Sequence, residues 1–144
     1  MKFFFTIIST SLILFISNYT VVNAKNYFFD EGKKLFENKN FKDSKFYFEK
    51  DIVFNPKNEN SYLYLAKVFI EEKNDDLQKN NLDTVLLLNP QNEEAIYLLT
   101  LLNIKNSNFS KAKELISTLN LVCIKMCSSQ LELQSKLNSS LKSE

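Results

Sequence analysis

Apolar side chains recur at helical intervals along most of this chain. Tyr62, Leu65, Ala66 and Phe69 stand at i, i+3, i+4 and i+7, the spacing of one buried helix face. Phe41, Ser44 and Phe48 follow a similar rhythm, as do Phe109, Ala112, Ile116 and Leu119. No stretch alternates strictly between turn signals, so no sheet is expected. The pattern predicts helices over about 26–38, 41–54, 59–73, 75–88, 93–105 and 109–122, separated by Asn- and Asp-rich turns. Leu133, Leu137 and Leu141 then recur every fourth residue and predict a last helix over about 129–141. Ser129 and Glu132 at its start have the spacing of a reciprocal cap.

The helices come in pairs with a fixed period. Asn55-Pro56 and Asn89-Pro90 contain the only two prolines, 34 residues apart. Proline lacks an N–H and disfavours helix in the residue before it, so each Asn-Pro stops a helix. Asn58 and Asn92 follow as candidate caps for the next helix. Asn40, Asn74 and Asn108 are candidates for the second helix of each pair.

A 34-residue period with these positions resembles the tetratricopeptide repeat. That family's first helix carries an aromatic, a Leu, a small residue and a large apolar residue. Tyr62, Leu65, Ala66 and Phe69 match it closely; Phe28, Glu31, Gly32, Leu35 and Ile96, Leu99, Thr100, Asn103 match less well. In the second helix Phe41, Ser44, Phe48 and Pro56 fit, with Asp51 in place of a small residue. Leu82, Val85 and Pro90 fit while Asp75 and Gln78 depart; the third repeat lacks a closing proline. The resemblance implies an all-α fold: a right-handed superhelical solenoid of three helix-turn-helix hairpins, repeats 25–58, 59–92 and 93–126, with a C-terminal capping helix and frayed tail over 127–144. Gly32 and Ala66 fall where paired helices must approach closely.

The resemblance also implies that the first helices line a concave groove for a peptide or protein segment. The groove columns would be Phe29, Leu63 and Tyr97; Phe36, Ile70 and Ile104; Lys33, Lys67 and Leu101; and Asn26, Asn60 and Glu94. Apolar ligand side chains would enter between Phe29, Leu63 and Tyr97. Lys33 and Lys67 would hold an acidic group, and Asn26 and Asn60 the ligand backbone. On this reading Leu63 faces an open groove, and Leu65 sits in the core between paired helices. The competing reading is that these residues pack against the protein's own tail or a second copy, which would make the chain a self-packed or homo-oligomeric, non-catalytic structural or assembly factor of the cell envelope.

The N-terminus adds an address. Lys2, an apolar run to Ile16 and the ending Val22-Asn23-Ala24 have the layout of a secretory signal, residues 1–24, cleaved after Ala24. The protein is therefore expected to be exported, to a periplasm or the extracellular space. The alternative is an uncleaved membrane anchor, although the run is short of the roughly 20 residues a spanning helix needs. Without Lys2 the 18 basic residues fall to 17, matching the 17 acidic ones. A neutral chain without Arg lacks the basic surplus that nucleic acid requires.

Composition narrows the chemistry further. The chain has no His, which removes the commonest general base and metal ligand, and Gly32 is its only glycine, so no phosphate loop can form. The adjacent acids Glu71-Glu72, Asp75-Asp76 and Glu93-Glu94 lie at helix ends, where solvated carboxylates are ordinary. No catalytic residue, cofactor or metal site is expected. Cys123 and Cys127 are the only cysteines. In an oxidising compartment the pair suggests a disulfide: residues four apart on a helix have Cα atoms about 6 Å apart, and the poor Cβ directions of a regular helix would be relaxed by a turn there. Two buried thiols packing the cap are the alternative, with redox or metal chemistry a third; the spacing is not Cys-x-x-Cys.

Overall fold

A computed structural model describes residues 27–142, all of whose regular structure is helical. Helix α1 covers 27–37; α2 is Phe41–Phe54, α3 Glu59–Glu71, α4 Asp75–Leu88, α5 Glu93–Lys105, α6 Phe109–Val122 and α7 Ser129–Lys142. The chain divides into two compact units at Pro56–Lys57. The expected signal segment, its cleavage site, Asn26 and the last two residues lie outside the described residues.

The helix ends follow from local chemistry. Asn40, Asn58, Asn74, Asn92 and Asn108 each cap a helix, their side chains accepting from the backbone N–H of Asp43, Asn60, Leu77, Ala95 and Lys111. Within each hairpin the turn has one form. Lys39, Lys73 and Ser107 adopt left-handed backbone with φ of 60°, 55° and 56°. Their N–H groups donate to Phe36, Ile70 and Ile104, while those of Asn40, Asn74 and Asn108 donate to Leu35, Phe69 and Asn103. These paired bonds satisfy the otherwise orphaned carbonyls of the first helix, and the same Asn then caps the second. The turn also ends α3 at Glu71, two residues short of the expected 73.

In the first unit α1 and α2 form one hairpin around Phe48, which is fully buried. A Cβ at Gly32 would lie 2.8 Å from Phe48 Cε1, so only glycine admits the ring without a shift. Asp51, buried where the repeat pattern calls for a small residue, accepts from Asn55 Nδ2 at 2.9 Å.

In the second unit α3 pairs with α4 and α5 with α6, α4 packs on α5, and α7 lies on both α5 and α6. The core runs through Ala66, Leu82, Val85, Ile96, Leu99, Ile116 and Leu119 and is completed by Leu133 and Leu137 of α7. Leu133 continues the 34-residue register of Leu65 and Leu99, so α7 stands as the first helix of a further repeat. Polar residues that weaken the match in α5 are accommodated by back-bonding. Thr100 Oγ1 donates to the Ile96 carbonyl and Asn103 Nδ2 to the Leu99 carbonyl, each at 2.7 Å. Glu132 does not complete the reciprocal cap suggested by Ser129; its carboxylate accepts from Tyr97 Oη at 3.1 Å instead.

Candidate functional site

The sequence-derived groove positions of the second unit sort into two groups. Leu63 and Ile104 are enclosed, at 5% and 9% exposure, and both belong to the core cluster. Leu63 is therefore as buried as Leu65, at 4%, and departs from the expectation of an open position. Lys67 is committed as well. Its ammonium lies 2.6 Å from Glu94 and 4.5 Å from the Tyr64 ring centre, so an incoming acid would have to displace Glu94. Tyr97 is half-buried; burial, then its bond to Glu132, raises its phenol above the ordinary range.

Ile70, Leu101 and Asn60 remain reachable. Ile70 and Leu101 open onto a cleft of ≈ 250 Å³ that also meets Lys73, Asp75, Gln78, Leu98, Leu102 and Lys105. Four aliphatic side chains, Ile70, Leu98, Leu101 and Leu102, supply its apolar lining. Lys105 Nζ holds both oxygens of Asp75, at 2.6 and 2.7 Å, with 61% and 29% of the two side chains exposed. A pair so open to water contributes about 0–1 kcal/mol, so a ligand could rearrange it at small cost.

In the first unit, the predicted groove residues of α1 contact their own hairpin. Phe29 lies 6.0 Å from Phe48 and Phe36 5.3 Å from Phe41, centre to centre, and Lys33 approaches Glu37 at 3.9 Å.

Sequence reasoning missed Lys73, Asp75, Gln78, Leu98, Leu102 and Lys105. A signal was present: Leu98, Leu101, Leu102 and Lys105 repeat the i, i+3, i+4, i+7 spacing on a second face of α5. Three of the adjacent acids serve separate structural partners. Glu93 accepts from the backbone N–H of Lys125 and Met126, Glu94 pairs with Lys67, and Asp75 with Lys105. Cys123 and Cys127 are joined in a disulfide with Cα atoms 5.2 Å apart. Cys123 closes α6 with extended backbone, so the bridge spans the bend between α6 and α7 and escapes the poor geometry of a continuous helix. Among the described residues no group of three or more His, Cys, Asp or Glu could hold a metal ion.

No family model matches the sequence, and no curated protein matches it either. The fold is similar to solved structures. The TPR2B domain of yeast Sti1, solved as its pHsp70 complex, has a TM-score of 0.72 at 13% identity, over 83% of this chain and 98% of that one. The first TPR domain of Spaghetti (RPAP3), bound to the HSP90 peptide SRMEEVD, gives 0.73 at 14%, over 82% and 93%. The Yersinia enterocolitica type III secretion chaperone SycD, in complex with a peptide of the translocator YopD, gives 0.73 at 10%, over 83% and 94%. At these identities the likeness establishes architecture. The chain therefore has the all-α, helical-repeat fold of tetratricopeptide domains.

Proposed function

We propose that this chain is a non-catalytic interaction module that binds a peptide segment of another protein, with the cleft beside α5 as its anchor. The observation that carries this reading is the cleft: an apolar lining from Ile70, Leu98, Leu101 and Leu102, edged by Lys73, Lys105 and Asp75. Apolar surface with a few charged groups at its rim suits one aliphatic or aromatic side chain next to an acidic one. The three structural neighbours, two solved with a peptide and one as a pHsp70 complex, support the same reading. The site takes from the predicted groove Ile70 and Leu101, and leaves Leu63 and Ile104 to the core. Panning a random-peptide library against the protein and its Ile70→Asp variant tests it. Enrichment of apolar-acidic peptides on the parent, lost on the variant, is the expected result. Enrichment that survives Ile70→Asp would remove the cleft from the proposal.

Export, with removal of residues 1–24, is part of this reading. Its supports are the Lys2-to-Ala24 layout and a disulfide of the kind that persists in oxidising compartments. N-terminal sequencing of the native protein should begin at Lys25; a membrane-bound form retaining Met1 would favour the anchor.

Self-association is the second reading, favoured by one observation. Leu87 and Leu121, at the same register position of α4 and α6, are each 82% exposed. Sedimentation of the parent and of a Leu87→Lys/Leu121→Lys variant separates the readings. A dimer abolished by the double substitution would establish this one.

A further inference from the structure

We propose that the Cys123–Cys127 disulfide is a redox latch that governs whether α7 is docked. The bridge joins the residue that closes α6 to the first residue of the turn into α7. It encloses Ile124, Lys125 and Met126, and the same segment is held from the other side by Glu93. That carboxylate accepts from Lys125 N at 3.0 Å and Met126 N at 2.6 Å. The tip of the loop is thus tied to α5 whether or not the sulfurs are joined. What the bridge adds is the direction in which the chain leaves the tip, toward the seat of Leu133 and Leu137.

The attachment of α7 beyond the loop is narrow. Leu133 and Leu137 are fully buried and Tyr97 Oη reaches Glu132, while most of the remaining helix is polar and exposed, including Gln134, Ser135, Lys136 and Asn138. A helix held by two leucines and one side-chain hydrogen bond depends on its local concentration at the docking site, which the closed ring raises by removing loop freedom. The bridge is also open to attack, because Cys127 is exposed whereas Cys123 is half-buried.

A dithiol reductant would attack Cys127 Sγ with one thiolate, breaking the Sγ–Sγ bond. Cys123 leaves as a thiolate and takes up a proton. The donor's second thiolate then displaces Cys127, which is protonated in turn. Two electrons and two protons reach the protein, and the donor ends as a disulfide. The released unit is α7, because Glu93 retains the loop tip; its departure uncovers the apolar faces of α5 and α6 that Leu133 and Leu137 close.

Hydrogen exchange of the oxidised protein and of the same protein in dithiothreitol tests the latch. Amides of α7 should lose roughly tenfold or more of their protection on reduction, the order expected when a five-residue ring is opened. Those of α3 and α4 should be unchanged, and reoxidation should restore α7. A Cys123→Ser/Cys127→Ser variant should match the reduced profile with or without dithiol. Unchanged α7 protection on reduction would overturn the proposal. A loss shared evenly by all helices would overturn it too, making the bridge a general staple of the fold.

Discussion

The backbone N–H of Met126 donates to Glu93 Oε2 at 2.6 Å, tying the loop after α6 to the first residue of α5. One repeat earlier Glu59, the first residue of α3, plays the corresponding part. Its Oε1 accepts from Asn89 and Asn92 Nδ2, at 3.0 and 3.2 Å, in the loop after α4. Each acid braces the loop that leaves its own hairpin. The backbone bond from Met126 is the main reason the Glu93 carboxyl is held below its ordinary 4.5.

A depressed folded value sets the sign of the pH dependence. The contribution of Glu93 is fully present above the unfolded value near 4.5 and is lost as pH falls through the lower folded value. Thermal melts between pH 7 and pH 3 should show a decline in the parent below about 4.5. That decline should be shallower in Glu93→Gln. Parallel curves for the two proteins would show that the loop does not depend on the charge.

Gly32→Ala should destabilise the protein although alanine is the better helix former. Its Cβ would meet the Phe48 ring at 2.8–2.9 Å, and Phe48 is fully buried. Overpacking of this kind costs about 1–3 kcal/mol, against a propensity gain of about 1 kcal/mol. Urea melts should show a lower midpoint for the variant; an equal or higher one would mean that the ring yields freely.

Ser107→Gly should stabilise. Ser107 holds φ at 56° in the α5–α6 turn and lies outside the cleft, unlike Lys73. Relief of the left-handed strain outweighs glycine's greater chain entropy by about 0.5–1 kcal/mol. A rise in the urea midpoint without a change in slope is the expected signature.

Leu63→Ala and Leu65→Ala should melt early together. Both side chains are almost wholly enclosed, and truncation of a buried leucine costs about 2–5 kcal/mol. Ile70→Ala, at a site 36% exposed, should change stability far less. A near-parental melt for Leu63→Ala would restore it to the open face.

The ends of the helices were legible because their causes are local. An Asn accepts an N–H two or three residues on, a proline interrupts the helix before it, and both recur every 34 residues. Ranges over 41–54, 75–88, 93–105 and 109–122 could accordingly be read from the chain alone. The close approach at Gly32 was legible for the same reason, since the paired helix follows after one short turn. Solvent access along the predicted groove was not. Lys67 meets Glu94 from the following repeat, Tyr97 meets Glu132 35 residues away, and Glu93 reaches a loop 33 residues on. Periodicity determines which face of a helix a side chain occupies. Whether that side chain is enclosed or left at the cleft is decided by the particular neighbour that the next repeat brings against it, and only the packed helices specify that neighbour.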